Sequence, residues 1–140
     1  MKRILVAVDG SEASLKAARM AADVAVRFGA RITLAHVVPR LLLPPDVYGL
    51  TTAEVEREKR AHGEAVLHDA LTALGGAGVE VDTLVLSGAP AETLAEAAAA
   101  PDVDLVVAGS RGQGAVARVL LGSVSDRLAH LCPKPILIVH

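Results

Sequence analysis

The sequence predicts an α/β fold, a single parallel sheet wound on both faces by helices, and three observations predict it. Short continuous aliphatic runs alternate with longer segments of helical period along the whole chain. The first, RILVAV, runs on in aliphatic residues after Arg3, as in a strand buried on both faces. Gly, Pro, Ser or Asp marks most of the boundaries, where helices start and stop. Strict strand–helix alternation implies parallel pairing through crossover helices.

The elements follow in order. RILVAV (Arg3 to Val8) is the first strand, halted by Asp9-Gly10. Ser11 can cap a helix running to about Phe28, with Leu15, Ala18, Ala22 and Val26 as its inner stripe and Gly29 as its stop. RITLAHVV (Arg31 to Val38) is the second strand, and Thr51 to Leu74 a long amphipathic helix closed by Gly75 and Gly76. Val79 to Gly88 is the third strand. Ala89 to Ala100 is a helix with Pro90 in its first turn and Pro101 behind it. Val103 to Gly109 is the fourth strand. SVSDRLAHLC (Ser123 to Cys132) is a short helix with Val124, Leu128 and Leu131 on one face, and KPILIVH (134–140) a closing strand. The irregular segment from Pro39 to Leu50 is apolar for a loop and suits a cover over core, ligand or partner.

Composition narrows the function classes. At 140 residues the chain is long enough for one well-packed domain, 1–140. Hydrophobic residues make up 52% but aromatics only 1%, so the core is aliphatic and base-stacking platforms for single strands are not expected. The net charge of −2 argues against nonspecific nucleic-acid binding. The first apolar run is too short for a signal peptide or a membrane span, and the single Cys132 fits a reducing compartment. A cytoplasmic protein without a membrane partner is the expectation.

Two strand ends carry unusual content: VDGS after the first strand and AGSRGQG after the fourth. In open parallel sheets, ligands bind beyond the carboxyl ends of strands where the winding reverses. With a 3-2-1-4-5 order both anomalies fall on one crevice. Neither common phosphate loop is present. Gly109 and Gly114 have Walker spacing, but Ala115 and Val116 stand where Lys and Ser/Thr belong; the glycine order also fails the dinucleotide fingerprint. A helix opening at Ser123 is nonetheless an anion site by its free N–H groups and dipole, with Gly122 permitting close approach. Asp9 offers acceptors suited to ribose hydroxyls.

These residues also have plainer readings. Ser123 and Asp126 have capping-box spacing, and Asp9-Gly10-Ser11 suits a turn and helix cap. Arg111 and Arg118 are placed to meet phosphates or to lie in solvent. His36, His62, His68, His130 and His140 show no metal-ligand spacing, and Cys132 suits a small apolar filler.

Gly109-x2-Gly112-x9-Gly122-Ser123, with ILVAVDGSE, LAHVV, LLGSVSDRL and KPILIVH, resembles the ATP-binding branch of the universal stress protein family over essentially the whole chain. The resemblance implies a Rossmann-like, adenine nucleotide alpha hydrolase-like sheet of order 3-2-1-4-5 with ATP in the crevice. It places Ala7 and Val37 by the adenine and Asp9 by the ribose. Gly109 and Gly112 then line the phosphate path, Gly122, Ser123, Val124 and Ser125 hold the phosphates, and Val8, Ala108 and Arg111 complete the nucleotide-binding set. Mg²⁺ or Mn²⁺ would arrive with the phosphates.

No Walker lysine, paired carboxylates or Ser-His-Asp set stands out, so no catalytic residue is assigned and hydrolysis should be slow at most. A regulatory, stress-response binding module is the expectation. An ATP hydrolase or adenylyl-transfer enzyme of the same fold, or a nucleotide-independent dimeric interaction protein, are the alternatives. The last strand would be an apolar sheet edge, and pairing with a second copy along residues 134–140 would cover it, as the resemblance also implies.

Overall fold

Every expected element forms in a computed structural model that describes residues 1–40, 49, 51–112 and 121–140. In chain order they are β1 (Arg3–Ala7), α1 (Glu12–Phe28), β2 (Arg31–Val38), α2 (Thr52–Ala73), β3 (Val81–Ser87), α3 (Pro90–Ala98), β4 (Val103–Gly109), α4 (Ser123–Leu131) and β5 (Ile136–Val139). The strands make one parallel sheet of order β3-β2-β1-β4-β5. Most of the segment from Pro39 to Leu50, and residues 113–120 with Arg118, lie outside the described residues.

Strand residues point alternately to the two faces, so each aliphatic run feeds two cores. Ile4, Val6, Ile32 and Leu34 face α1 and α2, while Leu5, Val37, Val106 and Ala108 face α3 and α4. The first core is filled on the helix side by alanines, Ala17, Ala18, Ala21, Ala22 and Ala25, all nearly inaccessible. Small side chains let α1 lie close to the sheet.

Several boundaries and faces differ from the sequence expectation. Val26 is 57% exposed, and Leu15 is half-buried. At about 100° per residue an i,i+4 row drifts by about 40° per step, so the row Ala18–Ala22–Val26 leaves the sheet before its third member. The helix of α3 stops at Ala98 rather than Ala100 because Pro101 disfavours helical backbone at the preceding residue. Val8, expected as the last residue of β1, lies past the strand but still donates its N–H to the Ala35 carbonyl at 2.8 Å. β3 begins at Val81 rather than Val79, and β5 is confined to Ile136–Val139, after Pro133 and Pro135. On α4 Leu128 is fully buried, but Val124 and Leu131 are 41% and 42% exposed. Leu128 joins Ala91 and Leu94 of α3 in the second core, and Val124 and Leu131 stay outside it.

The caps follow local chemistry. Ser11 accepts the Ser14 N–H, and Gly29 ends α1 in the left-handed region at φ 66. Thr51 and Glu54 form a reciprocal capping box at the start of α2. At the amino ends of the strands, Arg3 and Arg31 grip the two oxygens of Asp102 at 2.7 and 2.9 Å. The Arg31 hydrogen bond above all, then the Arg3 charge, holds the Asp102 carboxyl below its ordinary range. The opposite pole, at the carboxyl ends of the strands, holds the cleft.

Candidate functional site

A cleft of about 980 Å³ opens above the ends of β1, β2 and β4, within the range of small-molecule sites. Ala7, Val8, Asp9, Val37, Ala108, Gly109, Arg111, Gly112, Gly122, Ser123, Val124 and Ser125 all line it. The sheet order brings these positions together from four separate stretches of sequence, because β1 lies between β2 and β4.

The floor is a row of small side chains. Ala35 is paired with Ala7, and Ala108 lies one step beyond Val107, the partner of Val6. Larger residues flank the row: Leu84 beside Ala35 and Ile138 beside Ala108. The alanines therefore leave a notch in the sheet face covered by α3 and α4. Pro90, Leu94 and Leu128 border it, making an apolar slot.

The turn after β1 is built around Asp9. Gly10 takes φ 85, which glycine adopts without penalty. Asp9 Oδ1 accepts the Ser11 N–H at 2.9 Å, and the Asp9 N–H reaches Ser14 Oγ at 3.4 Å. The plain reading of this stretch as turn and cap is therefore real, and Asp9 contributes to the fold as well as to the cleft. Its second oxygen faces the other loop: a Cβ on Gly112 would stand 2.5 Å from Asp9 Oδ2.

The glycines after β4 divide by role. A Cβ on Gly109 would meet Ala13 of α1 at 2.7 Å from its carbonyl carbon, so this glycine exists for helix packing. Gly122 has an ordinary φ of −67, and a Cβ there would find normal contacts at 3.4 Å or more. Gly122, not Ser123, is the N-cap of α4, with no side-chain capping bond. The capping box expected of Ser123 and Asp126 is absent, because Ser123 already lies in the first helical position. The Asp126 N–H makes the first intrahelical bond, to the Gly122 carbonyl at 2.9 Å. The amides of Ser123, Val124 and Ser125 precede it, as the donors every helix start leaves over. The Ser125 hydroxyl is buried and donates to the Gly109 carbonyl at 2.5 Å, so its proton serves the loop. The Ser123 hydroxyl stays exposed at the cleft edge.

One wall is legible in the sequence only in part. Val38, Pro39 and Arg40 follow β2 into the lining, and Glu58, Lys59 and His62 approach from α2. Lys59 Nζ donates to the Pro39 carbonyl at 2.7 Å, tying α2 to the β2 exit. His36 is buried, and its Nδ1 lies 2.7 Å from the Val8 carbonyl oxygen. Its ring meets His62 edge-on, with centroids 6.1 Å apart. Pro39 and Arg40 open the segment that the sequence offers as a cover over core, ligand or partner, and on α2 the signal is the i,i+4 spacing of Glu58 and His62, which the helix period turns into one face. Among the described residues no group of three or more His, Cys, Asp or Glu is placed to hold a metal ion. Among them, too, no helix is long and apolar enough to cross a membrane.

A family model described as the universal stress protein family matches residues 1–140. The chain belongs to the universal stress protein family. Among its relatives is a universal stress protein of Thermus aquaticus, named for the QAH/OAS sulfhydrylase 3′ region. The two are 38% identical over 141 residues, covering 99% of this chain and 98% of the relative. Among solved structures, the universal stress protein UspA from Lactobacillus plantarum superposes with a TM-score of 0.84 at 25% identity, covering 99% of this chain and 97% of that one. A universal stress protein crystallised in complex with cAMP gives a TM-score of 0.73 at 28% identity, covering 99% and 96%. This universal stress protein thus shares the Rossmann-like α/β fold of the family, with strand order β3-β2-β1-β4-β5.

Proposed function

We propose that the cleft binds an adenine nucleotide, ATP foremost, and that the protein is a regulatory binding module of the stress response. The observation that carries this is the convergence in one cleft of three features. They are an apolar slot floored by Ala7, Ala35 and Ala108, the Asp9 carboxylate, and the open start of α4 beside Arg111. The slot suits a flat base and Asp9 suits ribose hydroxyls. The amides of Ser123 to Ser125 suit phosphate oxygens. The relative solved with cAMP lends support, since it carries an adenine nucleotide on a similar chain. Mg²⁺ or Mn²⁺ would enter on the phosphates, as the described residues offer no cluster of their own. Hydrolysis is at most slow in this reading. The described cleft carboxylates are Asp9, partly engaged by the turn, and Glu58 on the far wall.

Titration calorimetry with ATP tests this. Wild-type protein is expected to bind, and Asp9→Ala to bind about tenfold more weakly through loss of hydrogen bonds to a charged acceptor. Because Asp9 also accepts the Ser11 N–H, the variant should lose about 1 kcal/mol of stability in a thermal melt. No affinity for any adenine nucleotide at millimolar concentration would overturn the reading.

The same reading makes the protein a cytoplasmic, single-domain homodimer. β5 is an edge of the sheet, short, apolar and half-buried in the lone chain, and a second copy would pair along it. Sedimentation at tens of micromolar should give the mass of two chains, and a monomer there would refute the dimer.

A further inference from the structure

We infer that His36 is a positioning residue for Asp9, acting through the peptide that joins Val8 to Asp9; the inference rests on the nucleotide reading above. A carbonyl oxygen can only accept, so the 2.7 Å contact means that His36 Nδ1 carries a proton and donates it to Val8. The N–H of that same peptide, which belongs to Asp9, points to Ser14 Oγ at 3.4 Å. Both polar atoms of one peptide plane are therefore held, the carbonyl end much more tightly. The plane's rotation sets the direction in which the Asp9 side chain leaves the backbone. Beyond β1 the sheet ladder adds only the Val8 N–H to the Ala35 carbonyl, so His36 supplies the last fixed point before the turn.

The fold holds the ring in place from the α2 side. Gly63 is buried in the middle of α2, where glycine is unfavourable by about 1 kcal/mol relative to alanine. A Cβ there would meet His36 Cδ2 at 3.1 Å, Val38 Cγ2 at 3.2 Å and Val85 Cγ1 at 3.3 Å. The glycine lets α2 lie directly on the imidazole, and the edge of His62 covers the ring beside it. A buried histidine with one nitrogen bonded to backbone and its ring packed by a helix glycine is a fixed strut. It ends one peptide bond from the carboxylate that the nucleotide reading assigns to the ribose.

The test compares ATP with 2′,3′-dideoxy-ATP, which lacks the hydroxyls that Asp9 would hold. Wild-type protein is expected to prefer ATP by about tenfold or more. His36→Leu, which keeps the bulk and loses the donor, should bring that preference down to about twofold. His36→Asn places an amide N–H near the position of Nδ1 and should restore most of it. A general loss of stability would weaken both ligands alike and leave their ratio unchanged, so the ratio separates positioning from packing. If the leucine variant fails to fold, His36→Gln, whose amide sits one bond farther out, replaces it with the same expected loss. A wild-type ratio in the variant lacking the donor overturns the inference. A wild-type protein that does not bind ATP, or does not distinguish the two ligands, overturns the nucleotide reading itself and this inference with it.

Discussion

Gly109→Val should be the most damaging single substitution at the cleft, lowering the thermal midpoint by about 10 °C or preventing folding. A Cβ at this position would stand 2.7 Å from the Ala13 carbonyl carbon and 2.9 Å from both its Cβ and its oxygen. Two of those three atoms are α1 backbone, which no rotamer change can move. The helix itself would have to shift, and its alanine face is packed without slack against Ile4, Val6 and Ile32. Overpacking of this kind costs about 3 kcal/mol, and each kcal/mol moves the midpoint of a chain this size by about 3–4 °C. Gly109→Ala should show most of the effect, since the clash begins at Cβ. Combining it with Ala13→Gly should recover only a part, because the backbone contacts persist. A melt of Gly109→Val within about 2 °C of wild type would show that α1 yields more easily than its packing implies.

The case of Gly109 marks where the sequence was legible and where it was not. Strand runs such as RILVAV and RITLAHVV are legible by their short length, their β-branched content and the Asp-Gly or Pro that stops them. Gly29 and Pro101 likewise announce helix ends by local sterics. The convergence of VDGS and AGSRGQG on one crevice follows from the strand order, whereas the twelve individual lining positions come from the family resemblance. What local rules do not carry is the distance between elements. Gly109 and Gly122 look alike in sequence, yet a Cβ on the first would overlap α1 backbone and one on the second would meet only ordinary contacts at 3.4 Å or more. The same holds for Gly63, unremarkable in a helix until the imidazole of His36 lies against it, and for His36 itself. Its partner is a backbone carbonyl 28 residues earlier, and no side-chain spacing signals that. Ser123 differs for another reason: its capping-box spacing with Asp126 is met by the residues, but Gly122 is the N-cap and Ser123 takes the first helical position.

Gly122→Val, in contrast to Gly109→Val, is expected to leave the protein folded and to lower its affinity for ATP by at least about 100-fold, the equivalent of about 2.7 kcal/mol. The backbone at Gly122 has φ −67 and ψ 158, open to any residue. A Cβ there would lie 3.4 Å from Arg111 Cα and Gly112 N, ordinary contact distances. Valine is a poorer N-cap than glycine by about 1 kcal/mol, and part of that is offset by the lower entropy of its unfolded chain. The fold therefore has little need of glycine here, whereas a bound phosphate does. Two methyl groups at the mouth of α4 would cover the amides of Ser123, Val124 and Ser125. Gly122→Ser sharpens the contrast. A serine at an N-cap accepts an amide from the second or third helical residue, here Val124 or Ser125, which favours the helix start. Those are the donors the nucleotide reading gives to phosphate, so helix and ligand would compete for them. The serine variant is expected to melt no lower than wild type and still to bind ATP more weakly by about tenfold. Calorimetry and melts on the two variants decide the matter. If both bind ATP as the wild type does, the start of α4 is not where the phosphates sit.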